Sequence, residues 1–171
     1  MIRAGDLPKK NGGKMMSKKS KKISTPLLVG AIASLVFLIL AIVGISLENW
    51  VASELLGESV PTSLSDCTKF DMAIADTMSA FAIITIIAAA ATVVGAIASL
   101  VLNFKLIKLI AAIAGAAAIV CAVITIICTY SFCNDTFGNQ LLNTAPSAGA
   151  WLLTIGGALS GLAGAFTALK R

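Results

Sequence analysis

The chain alternates between long stretches without a single acidic or basic side chain and short stretches that hold nearly all the charge. Four uncharged runs cover 26–47, 77–102, 109–130 and 147–169. Crossing ~30 Å of hydrocarbon as a helix takes about 20 predominantly apolar residues, and each run meets that length. Strands of a membrane barrel would run about 10 residues with alternating polar positions, whereas 29–45 and 83–98 are apolar nearly all round. The pattern predicts an all-α integral membrane protein, a four-helix transmembrane bundle. The remainder is a basic tail over 1–25, expected to be disordered, a connector at 103–108, and two outer loops at 48–76 and 131–146. None of these holds a separate soluble domain.

Charge orients this bundle. Arg3, Lys9, Lys10, Lys14, Lys18, Lys19, Lys21 and Lys22 precede the first run, Lys105 and Lys108 separate the second and third, and Lys170 and Arg171 follow the fourth. With four spans these segments share one face, which the positive-inside rule makes cytoplasmic, so both termini are expected there. Of 13 basic residues only Lys69 lies elsewhere, and of 8 acidic residues only Asp6 joins the basic face. Trp50, Tyr130 and Trp151 fall at the outer ends of spans, where amphipathic rings anchor at the interface. A multi-pass protein of the plasma membrane, with the lipid bilayer as its first partner, is the expected setting.

Composition then narrows the chemistry. A hydrophobic content of 58%, a charged content of 12% and a mean hydropathy of +0.96 exclude a soluble enzyme. The net charge of +5 sums two opposite faces, so nucleic acid is not an expected partner. Histidine is absent, which removes imidazole acid–base chemistry. The uncharged first run is longer than the apolar core of a signal peptide, and Ile2 stands where N-myristoylation needs glycine.

Within lipid, helices associate through close packing of small residues. Gly30, Gly95, Gly115, Gly157 and Gly161 are the expected packing positions, Gly157 and Gly161 forming a small-xxx-small pair. Bundle packing is the simpler use of this surplus, and contact with a second copy or another membrane protein is the other. The spans contain no carboxylate or basic side chain, the usual mark of an ion path or substrate pocket. The cysteines make no C-x-x-C pair and no zinc set. No catalytic, cofactor-binding or metal-binding residue is therefore expected, and the chain is read as non-enzymatic.

The outer loops carry the remaining candidates. Cys67 and Cys133 both lie on the oxidising face, where a bridge would tie the two loops together and contribute roughly 4 kcal/mol through chain entropy; two free thiols are the alternative. Asn134-Asp135-Thr136 is an N-glycosylation sequon. Its position four residues past the third span is close to the membrane, so occupancy is expected in few molecules. Residues 51–57 are expected to form a short amphipathic helix lying on the bilayer, or a partner-binding surface.

Four spans, internal termini and a first outer loop larger than the second resemble the claudin-like tetraspan proteins. Ala80-Phe81-Ala82-Ile83-Ile84-Thr85-Ile86-Ile87 and Ala148-Gly149-Ala150-Trp151-Leu152-Leu153 resemble the entries to two helices of the amastins, kinetoplastid surface glycoproteins within that group. The first outer loop diverges, offering Trp50 and Cys67 without the second cysteine of either family pattern. The resemblance implies a structural, adhesive or membrane-organising role at the cell surface. Two alternatives remain: an accessory subunit of a larger integral membrane complex, and a small channel or transporter.

Overall fold

The computed structural model describes residues 25–55, 58–70, 73–102, 104–136 and 143–170; the basic tail and its lysines, apart from Thr25, lie outside them. Helix α1 covers Thr25–Ser46, α3 Ala73–Val101, α4 Lys105–Thr136 and α5 Ala148–Lys170, and all four are long and apolar enough to cross a membrane. Pro26 sits in the first turn of α1, where its missing N–H costs nothing. The third expected run proves too short: α4 begins at Lys105 and continues to Thr136, carrying Phe132 and Cys133 past the end expected at residue 130. Likewise α3 begins at Ala73. Thus α3 starts, and α4 ends, in a region expected to be loop.

Helix α5 is the hub. It packs against α1 and α4 along their lengths and against α3 across the bundle, while α1 and α3 make a much looser contact. Gly115 of α4 and Gly161 of α5 face each other so closely that a β-carbon on either would stand 2.6 Å from the other's carbonyl oxygen. On the α1 side, a β-carbon on Gly156 would stand 2.7 Å from both the Ala41 nitrogen and the Phe37 oxygen. Gly30 is backed by Thr167, Gly157 by Thr85, and Gly95 by the Ala111 methyl. Ser160 Oγ donates to the Ser34 carbonyl across the α1–α5 contact at 2.9 Å, a hydrogen bond made between two buried residues.

The buried positions follow a period of side-chain size. Along α4 they include Ala111, Gly115, Ala118, Ala122, Thr125, Thr129 and Phe132, and along α3 Ala75, Met78, Ala82, Thr85, Ala89, Thr92, Ala96 and Ser99, with Cys121, Cys133, Val93 and Leu100 buried beside them. Alternating steps of three and four are the spacing of a coiled-coil seam, here filled mostly by small residues. Large aliphatic side chains such as Ile84, Ile87, Val94, Ile113 and Leu162 point outward and stay exposed. The buried hydroxyls of Thr85, Thr92, Thr125, Thr129 and Thr167 each donate to the carbonyl four residues earlier, so the seam carries no unmet donors at these positions.

A small sheet, absent from an all-α expectation, closes one end. Strand β1 (Val51–Leu55) lies between β2 (Glu58–Thr62) and β3 (Asn143–Pro146), both antiparallel to it. Val51 pairs with Thr62 on one side and Pro146 on the other. Residues 51–55 are therefore strand and not the surface helix expected from their apolar spacing. Val51 and Ser53 are buried and Glu54 exposed, a period of two that suits a sheet with one covered face.

The Gly115–Gly161 contact yields a direct test. Gly115→Ala should lower stability by about 1–3 kcal/mol, the usual cost of overpacking a tight interior, because the clash is with backbone. Ala116→Leu, on an exposed position of the same helix, should leave the unfolding midpoint in mixed micelles near wild type. Equal midpoints for the two variants would show that α4 and α5 are not packed through this contact.

Candidate functional site

The sheet and the short helix α2 (Leu64–Cys67), with a 3-10 turn over Thr68–Phe70, form a cap on one end of the bundle. Ser63 starts α2 as its N-cap: its Oγ accepts from the Asp66 N–H at 3.1 Å and donates to Asp66 Oδ2 at 2.7 Å. Backbone bonds seat the sheet on the helices. The Trp50 N–H donates to the Thr62 carbonyl, and the Trp50 and Asn49 carbonyls accept from Ser147 and Gly149, each at 2.9 Å. Ser147, just before the last helix, and Gly149, in its first turn, are thus held by the chain leaving the first.

Trp50 is the centre of the cap. It was expected to anchor at the membrane surface, but its side chain is fully buried. The strand pairing of its neighbours draws it beneath the sheet, where its indole N–H reaches Met78 Sδ at 3.4 Å and its ring joins a cluster with Val51, Leu64, Phe132, Ala150 and Leu153. The sequence pattern missed Phe132 for a related reason, since it lies two residues beyond the apolar run while continuing the size period of α4. Tyr130 and Trp151, by contrast, are about half exposed and stack edge to face, ring centroids 6.4 Å apart, on the outside of the bundle.

Cys67 and Cys133 are gathered into that same buried cluster and stand there as free thiols. Burial pushes the Cys67 thiol up to about 12, with Cys133 and then Asp66 close enough to add their repulsion. Cys121 and Cys128 are free and lie along α4. Asn134, the sequon asparagine, is exposed on the last turns of α4.

The cap's outer surface is acidic. Glu48, Glu54, Glu58 and Asp76 are exposed, and Lys69 is paired with Asp66 at 2.6 Å. The hydrogen bond from Lys69, then that from Ser63, holds the Asp66 carboxyl below the usual carboxylate range. Beside this pair a groove of about 300 Å³, lined by Pro61, Thr62, Asp66 and Lys69, runs next to β2. Strand β2 is an edge, and Pro61 removes one N–H from it, a common way to blunt pairing with another chain. Among the described residues no group of three His, Cys, Asp or Glu side chains is placed to hold a metal ion. Comparison with known protein families, curated proteins and solved structures finds no match for this chain.

The buried thiol sets a measurable window. The neutral form of Cys67 is favoured by folding, so its contribution to stability is full below its ordinary value of 9.0 and is lost as pH rises toward about 12. Only the thiolate reacts with maleimide. At pH 8 peptide-level labelling of Cys67 should be at least about a hundredfold slower in the folded protein than in denaturant, and rapid labelling of the folded protein would show that the cap is open.

Proposed function

We propose that the chain is a multi-pass membrane protein with both termini in the cytoplasm, which presents the acidic cap outside the cell in a structural, adhesive or membrane-organising role. The observation that carries this reading is the union of both connecting loops in one sheet: β1 and β2 come from the first and β3 from the second. A cap tied to the ends of all four long helices holds Glu54 and Glu58 in fixed positions, as a recognition surface requires. Exposed Ile, Leu and Val side chains surround the middle of the bundle and suit hydrocarbon better than water.

Orientation rests on charge. Lys105, Lys108 and Lys170 stand at the end opposite the cap, and the positive-inside rule places that end in the cytoplasm. The cysteine pattern of the first loop diverges from that of both named families. The buried hydroxyls already satisfied by helix carbonyls favour a packed bundle over a polar conduction path.

Two measurements test this reading. With Ser59→Cys on the cap and Lys170→Cys at the other end, an impermeant maleimide applied to intact cells should label the first at once and the second only after permeabilisation. The reverse order would overturn the orientation. Native mass spectrometry of gently solubilised protein should show the chain alone or self-associated; stoichiometric foreign subunits would support the accessory-subunit reading instead.

A further inference from the structure

The bundle is open on one side. Because α1 and α3 pack only loosely beside each other, a crevice of about 220 Å³ remains between them, lined by Leu28, Ala31, Ile32 and Leu35 of α1 and Ile97 and Leu100 of α3. Ala31 and Leu100 form its buried floor, and Leu28, Ile32, Leu35 and Ile97 its exposed rim. A helix measures about 10–12 Å across with its side chains and does not enter so small a volume. A stretch of a single acyl chain does.

The crevice lies at the basic end. At 1.5 Å per residue, Leu28 and Leu35 stand about 5 and 15 Å along α1 from Thr25, a depth that matches one leaflet of a ~30 Å hydrocarbon core. Two inter-helix contacts fix the level of the nearby cations. Gly95 meets Ala111, so on antiparallel helices Lys105, six residues before Ala111, is level with Val101, six after Gly95. Gly30 meets Thr167, which places Lys170 level with residue 27. Both lysines therefore flank the height at which the crevice opens. Every acidic side chain described on the bundle is at the far end.

We propose that this crevice holds one acyl chain of an anionic phospholipid from the leaflet at the basic end, its headgroup met by Lys105 and the cations beside it. The proposal rests on the membrane reading above. It differs from general attraction of a basic tail to a charged surface, because it requires a filled crevice as well as charge.

Native mass spectrometry of the full chain in detergent, titrated with equal amounts of phosphatidylserine and phosphatidylcholine bearing the same chains, tests it. One phosphatidylserine should be retained in preference to phosphatidylcholine, and Lys105→Gln should reduce that preference about fivefold. Ile97→Trp, which covers the crevice from its exposed rim, should lose bound lipid of both kinds, whereas Val94→Trp, exposed on the same helix outside the crevice, should keep it. Equal retention of the two lipids, undiminished retention in Ile97→Trp, or a protein dimer in place of bound lipid would overturn the proposal. Reconstitution of each variant into phosphatidylcholine vesicles separates the two claims: a chain that inserts without retaining lipid defeats this inference alone, and one that does not insert defeats the membrane reading.

Discussion

The close approach of α5 to its three neighbours is the constraint on which the other features depend. Gly156 against Ala41 and Gly161 against Gly115 bring backbones to distances that no side chain would allow. In hydrocarbon, contact of this kind and the occasional inter-helix hydrogen bond replace the hydrophobic effect as the source of helix association. The Ser160–Ser34 bond belongs to the same contact. Once α5 is seated, its first turn is fixed against Asn49 and Trp50, and the sheet can close over the bundle. Packing at the centre thus determines where the cap sits and which residues it displays.

The cap inverts the logic of the bundle. Below it, most buried residues are small and most large aliphatics exposed, Leu38, Val93 and Leu100 being buried exceptions; within it, Trp50, Phe132, Met78 and Leu153 are fully buried. This is the arrangement of a water-soluble core, and it fits a segment that leaves the membrane. Burial of aromatic area there follows the usual hydrophobic gain of about 25 cal/mol per Å². The two halves of the molecule suit two different solvents. Their junction lies where α3 and α4 outlast the apolar runs, and Tyr130 and Trp151 mark that level on the outside.

How much of this was legible in the sequence depends on which property is followed. The four helices could be read from hydropathy because a charge-free run of more than 20 residues has few other uses. Their faces could not, since runs apolar on every side carry almost no hydrophobic asymmetry. The information was present as size: Ala111, Gly115, Ala118 and Ala122 trace the seam, and extending it to Phe132 would have lengthened α4. The glycines expected at helix contacts stand at such contacts, because a missing β-carbon has one clear use in a tight bundle. The cap was the least legible part. Val51, Leu55 and Leu56 suit a helical face, while Val51, Ser53 and Leu55 suit a strand equally well, and the pairing with β3 that decides between them comes from residues some ninety positions later. Trp50 was misplaced for the same reason, since its location depends on a long-range contact and not on its own sequence neighbourhood.

Disulfide trapping across the central contact tests the account most directly. With the four native cysteines replaced by serine or alanine, the pair Ser34→Cys and Ser160→Cys should cross-link efficiently in membranes under mild oxidation, because Ser160 Oγ already reaches the Ser34 carbonyl. A partner cysteine at Leu162, on the exposed side of α5, should not. Cross-linking of Leu162→Cys to α1 in preference to Ser160→Cys would contradict the glycine-lined seam, and with it the placement of the cap.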